Sequence, residues 1–131
     1  MNSVLNFSNA MAIGGGAALG AWCRWGLGLV FNAVVPSFPL GTLLANLCGG
    51  LLMGAVIGLI GFGSLDNPSL RLFITTGFLG GLTTFSAFTG ESLSLLHKHE
   101  YLMATLHTCS HVFGALLMAA IGVLVVEYFK H

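Results

Sequence analysis

The sequence predicts an all-α integral membrane protein, a single membrane domain over residues 1–131 with four transmembrane helices, the third broken near mid-membrane. Three observations carry this prediction. Of 131 residues 56% are hydrophobic and only 6% charged, and the mean hydropathy is +0.94, so water is not the chain's main solvent. A helix needs about 20 apolar residues to cross a hydrocarbon core of about 30 Å, so this length holds four spans and leaves no room for a soluble domain. Short polar clusters divide the apolar sequence at matching intervals.

The first span covers residues 11–31. Residues 1–9 carry no Lys or Arg, so they lack the basic region of a cleaved leader and the span is expected to be retained. No charge lies between Arg24 and Asp66; Asn32, Pro36 and Pro39 divide that stretch and place the second span at residues 40–62. Gly63, Ser64, Asp66, Asn67 and Pro68 form a turn cluster. The third span follows over residues 70–96, ending at the polar knot His97, Lys98, His99 and Glu100. The fourth, residues 101–126, has Tyr101 and Tyr128 at its ends, where interfacial aromatics belong.

Nineteen glycines burden a helix in water, but in lipid small residues let backbones approach closely. Gly16 and Gly20 form one GxxxG pair, and Gly50, Gly54 and Gly58 share a face of the second span. Cys23, Cys48 and Cys109 are odd in number and scattered through apolar sequence; they read as small packing residues rather than a disulfide framework or metal motif. Four Lys+Arg balance four Asp+Glu, which removes the basic footprint of nucleic-acid binding. Arg71 and Lys130 fall on one side of the membrane, Lys98 and Arg24 on the other. With no positive-inside bias the chain is expected to insert both ways, and opposed copies can then pair.

The third span is the anomaly. Its segment from Ile74 to Glu91 holds four glycines and six hydroxyl residues in eighteen positions. Gly80-Gly81 followed by Thr83-Thr84 makes a poor continuous helix, since glycine costs about 1 kcal/mol against alanine and threonine is stiff. Unwound backbone at that depth survives only when buried in protein or lining a cavity, and its freed carbonyls are natural cation ligands. Phe85 and Phe88 share one helix face among hydroxyls. Their electropositive ring edges suit contact with a small anion, although phenylalanines at this spacing also serve plain core packing. Arg24, flanked by Trp22 and Trp25, is either an interfacial anchor or an anion-attracting vestibule charge. Asn46 offers two N–H donors, either to an anion or to a neighbouring helix. Glu91 is the one acid well inside a span, set either to bond a neighbouring helix or to stand at a cavity mouth. His107 and His111 are four apart on one face, as buried hydrogen-bonded side chains or as two ligands of a metal whose third has no convincing spacing. No Ser/His/Asp set, phosphate-binding loop or paired carboxylates occur, so the residues do not predict an enzyme.

Three stretches, Gly20-Ala21-Trp22-Cys23-Arg24-Trp25, then Gly41-Thr42-Leu43-Leu44-Ala45-Asn46-Leu47-Cys48-Gly49, then Thr75 through Phe88, resemble the Fluc (CrcB) fluoride channel family in order and spacing. The resemblance implies an antiparallel, dual-topology homodimer in the bacterial inner membrane, with two pores that pass fluoride out of the cell passively. It implies a fluoride path along Phe85, Phe88, Asn46, Arg24, Thr42 and Ser86. It also implies a structural Na+ at the dimer centre, held by the backbone carbonyls of Gly80 and Thr83 and not transported. Ala115 and Ala119 in the fourth span, and Ala87 between the phenylalanines, stand where the family often carries hydroxyls. Two other functions fit four spans: a proton-coupled exporter of the small multidrug type, and a non-conducting membrane assembly subunit. Such an exporter needs a titratable acid deep in its first span, where this chain has Arg24.

Overall fold

The structure, a computed structural model, describes residues 6–130, and helices joined by short turns make up their secondary structure. The uncharged stretch at residues 1–9 thus lies partly outside the described residues. Helix α1 runs Phe7–Phe31 and α2 Leu40–Gly61. The third helical segment is composite: α3 (Pro68–Leu72), a π-helical stretch (Phe73–Leu79), α4 (Gly80–Leu82) and α5 (Phe85–His97). Helix α6 closes the chain over Tyr101–Lys130.

Boundaries follow capping chemistry. Helix α1 starts four residues before the predicted span because the Asn6 side chain accepts from Asn9 N at 2.7 Å, satisfying one of the orphan amides of the first turn. Asn32 does the same for α2, its Oδ1 accepting from Gly41 N at 2.8 Å and Thr42 N at 3.3 Å. Asn67 caps α3 through Leu70 N at 3.0 Å, with Pro68 at the first helical position. Helix α6 runs four residues past the predicted span, to Lys130.

Three segments are long and apolar enough to cross a membrane: Leu40–Gly61, Pro68–His97 and Tyr101–Lys130. Helix α1, with 25 residues, has the length, at 1.5 Å per residue, but Arg24, its flanking tryptophans and its many glycines dilute its hydropathy.

Close packing by small residues holds the helices. Helix α1 lies along the first half of the third segment, with Gly16 against the backbone of Phe73, Gly77 and Phe78, and Gly20 against that of Phe78 and Leu82. Helix α2 lies along α6, with Gly50 on Ala115 and Gly54 on Ala119. Both alanines thus present their backbones to a glycine, and a side chain at Gly50 or Gly54 would part the helices. The cysteines depart from expectation: Cys23, Cys48 and Cys109 are all exposed on the chain's outer face rather than packed between its helices.

Candidate functional site

The helix break falls at Thr83 and Thr84, both in extended conformation (φ −82°, ψ 155° and φ −149°, ψ 119°). Side chains take over the hydrogen bonds that the break removes. Thr84 N, which would close on Gly80 O in a continuous helix, donates instead to Asn46 Oδ1 at 2.8 Å. Ala87 N, which would close on Thr83 O, donates to Thr84 Oγ1 at 3.1 Å, making Thr84 the N-cap of α5. The carbonyls of Gly80 and Thr83, the pair expected to bind a cation, are among those the break relieves of their helical donors, and carbonyl oxygen is the ligand type a hard ion takes. Between them, Gly81 O accepts from Arg24 Nε at 3.1 Å. Arg24 is therefore tied to the break rather than extended into open space.

Asn46 spends both of its donors and one acceptance on this region. Besides accepting from Thr84 N, its Nδ2 donates to Thr84 O at 3.0 Å and to His111 Nδ1 at 2.9 Å. Of the two roles open to it, helix bridging is the one seen in this conformation. Thr42 is buried, and its Oγ1 donates to Glu91 Oε1 at 2.6 Å. Glu91 Oε2 accepts from His107 Nε2 at 3.1 Å, and His107 Nδ1 meets Ser92 Oγ at 2.9 Å. Ser86 is exposed and pairs with the Thr84 hydroxyl at 3.1 Å.

Phe85 and Phe88 meet edge to face, ring centroids 5.4 Å apart, yet their surroundings differ sharply. Phe85 is 78% exposed on the open side of the chain, whereas Phe88 is 8% exposed. The sequence reading set both rings among hydroxyls; the structure corrects this for Phe88, which stacks on His107 at 5.7 Å and tilts against His111 at 4.9 Å. The two histidines, 0% and 4% exposed, are the residues that sequence reasoning left out of the site. Their four-residue spacing was visible, but their partners come from α2 and α5.

Asn46, Gly80, Thr83, Phe85, Phe88 and His111 line one side of a cavity of about 480 Å³ on the open face of the chain, whereas Arg24, Thr42 and Ser86 of the expected path lie outside its wall. Polar atoms sit at the break while apolar side chains form most of the wall. Helix α5 begins at this cavity, with Thr84 and Phe85 in its wall, so the positive end of its dipole lies beside it, an arrangement favourable to an anion.

Comparison with known proteins agrees in extent with the whole fold. The family model described as CrcB-like protein, Camphor Resistance (CrcB), matches residues 11–123. A protein of Aromatoleum aromaticum named fluoride-specific ion channel FluC is 52% identical over 122 residues, covering 93% of this chain and 93% of its own. Proteins with the same name from Nitrosospira multiformis and Cupriavidus pinatubonensis are 49% and 51% identical, covering 89% and 86% of this chain and 91% and 89% of theirs.

Proposed function

This chain belongs to the CrcB-like family, and from that membership we propose that it is a fluoride-specific ion channel of the bacterial inner membrane, passing cytoplasmic fluoride outward and so relieving fluoride toxicity. It is a channel and not an enzyme. Neutral HF crosses lipid unaided, dissociates at cytoplasmic pH and leaves F⁻ behind. A selective passive pore then lets the anion leave, driven by the inside-negative potential.

The observation that carries the pore reading is the break at Thr83-Thr84, with a half-helix N-terminus opening onto a mostly apolar cavity beside Phe85. Four crossings, including α1, put both termini on one side. The functional unit in this reading is an antiparallel homodimer: the cavity lies on the open face of a single chain, and charge is balanced between the two sides of the bilayer. Phe85, with its ring exposed, and Phe88 beneath it offer positive ring edges to the ion. Ser86 and Thr84 offer hydroxyls along the way, Thr42 and Asn46 would exchange their present bonds to Glu91, Thr84 and His111 for the ion, and Arg24 holds the broken segment while drawing anions towards it. Gly80 and Thr83 of each subunit would hold a structural Na+ through their carbonyls, and that ion supplies charge and cross-linking at the centre without being transported.

The experiment is fluoride efflux from liposomes holding the pure protein. Efflux that follows an imposed potential and needs no proton gradient is expected. Efflux only with a proton gradient would replace the channel by an exporter, and none at all would leave an assembly subunit.

A further inference from the structure

We propose that Glu91, His107 and His111 form a binding site for a zinc-like divalent cation. One donor atom from each of the three lies within 4.8 Å of the other two. The histidines are four residues apart on one face of α6, and α5 brings in the carboxylate that the sequence did not reveal as a third ligand. Two histidines and a glutamate suit tetrahedral zinc, with the fourth position open. Such a centre holds its donors about 3.3 Å apart; His107 Nε2 and Glu91 Oε2 already stand at 3.1 Å, and the third donor lies within 4.8 Å of both.

Two features separate this cluster from a chance meeting of polar groups. Two of the ligands are held through the atom that would not face the metal: Glu91 Oε1 by Thr42 at 2.6 Å and His107 Nδ1 by Ser92 at 2.9 Å. Outer partners of this kind orient metal ligands. Among the described residues, His111 Nε2 is also a buried nitrogen with no hydrogen-bond partner, on a side chain only 4% exposed. A polar atom left so in the interior of a helical bundle is costly unless something binds it. The Glu91 side chain, 20% exposed, gives the cation a way in.

The tautomers add a consequence. Asn46 Oδ1 accepts from Thr84 N, so its Nδ2 is the donor to His111 Nδ1 and the neutral His111 ring carries its proton on Nε2. Metal at Nε2 moves that proton to Nδ1, which no longer accepts from Asn46. Loading the site therefore loosens Asn46, the residue that clasps the helix break. A cation beside Phe88 also offers fluoride a fourth ligand position that holds the ion instead of passing it, a consequence that rests on the channel reading.

The test uses the purified full-length protein and Zn²⁺ in equilibrium dialysis, with Co²⁺ absorption to report coordination. Expected are one ion per chain and intense four-coordinate cobalt bands. Glu91→Gln, His107→Gln and His111→Gln should each weaken binding at least about tenfold, and Ser92→Ala by about tenfold through loss of orientation alone. Asn46→Asp should tighten it, since a carboxylate accepts from Nδ1–H. The double variant His97→Gln/His99→Gln, on the exposed knot, should bind as wild type does. Absence of saturable zinc binding, or binding lost in the His97/His99 variant and kept in His111→Gln, overturns the site. In liposomes Zn²⁺ should slow fluoride efflux by wild type and not by His111→Gln; saturating zinc without slowing overturns the blocking role. Protein that binds zinc yet moves no fluoride when zinc-free contradicts the channel reading and leaves the site standing.

Discussion

Asn46 on α2 grips Thr84 by both of its backbone groups, accepting from Thr84 N at 2.8 Å and donating to Thr84 O at 3.0 Å. One side chain thus replaces two ladder bonds at the break. The break in the third segment is consequently a stable feature rather than a frayed one.

Asn46→Ala should therefore cost stability as well as flux. It strands two half-buried backbone groups, and a fully buried one left unsatisfied costs about 1–3 kcal/mol, which bounds the loss at each. Thermal unfolding in detergent should drop by several degrees, and fluoride flux per folded dimer should fall. Unchanged unfolding would show that the Thr84 groups find other partners.

The unequal burial of Phe85 and Phe88 separates their packing from their part in conduction. Phe85→Ile, at an exposed ring, should leave stability within about 0.5 kcal/mol while depressing flux per folded dimer, because the volume is kept and the ring quadrupole lost. Phe88→Ile should lower both, since that ring also packs on His107 and His111. Phe88→Met should retain more flux than Phe88→Ile, its thioether being polarisable. Near wild-type flux per dimer for both isoleucine variants would remove the rings from the path.

Neighbouring glycines Gly80 and Gly81 should respond in opposite ways. A Cβ on Gly81 falls on the Ala17 carbonyl, whereas one on Gly80 meets nothing nearer than Thr75 O at 3.8 Å. Gly81→Ala should lose about 1–3 kcal/mol or fail to fold, as overpacked sites do. Gly80→Ala should fold as a single chain. If the Gly80 carbonyl holds sodium, Gly80→Val should disturb the dimer more than Thr83→Ser, and dialysis into sodium-free buffer should weaken dimer stability and activity. Indifference of both to sodium would retire that ion.

Balanced charge predicts equal insertion in both orientations. Adding two lysines at the C-terminus should bias insertion and lower activity through loss of opposed partners. Cysteines substituted at the termini and labelled from one side of intact cells read this directly. Complete labelling or none in the unmodified protein contradicts the prediction.

The division between what could be read from residues and what could not follows the range of the interactions. Asn46 and Glu91 stood out individually because polar groups inside apolar runs are costly, yet neither partner was legible. Asn46 reaches Thr84 and His111 across 38 and 65 positions of chain. Phe88 looked like a ring among hydroxyls because its sequence neighbours are hydroxyls; in space its neighbours are imidazoles of α6. The π-helical stretch Phe73–Leu79 left no mark in composition, since the same residues satisfy either ladder.

By itself the sequence determined the solvent, the helical segments and their order, and the weak point at Gly80 to Thr84, because each depends on transfer and backbone free energies that a short stretch of chain already expresses. Tertiary structure decided where the freed hydrogen bonds go, which phenyl ring is covered, and that Glu91, His107 and His111 converge. Those outcomes depend on how far each helix rotates and how closely it approaches its neighbour. Small residues such as Gly20 on Phe78 and Gly54 on Ala119 set that approach, and only the packed bundle shows which backbone each one meets.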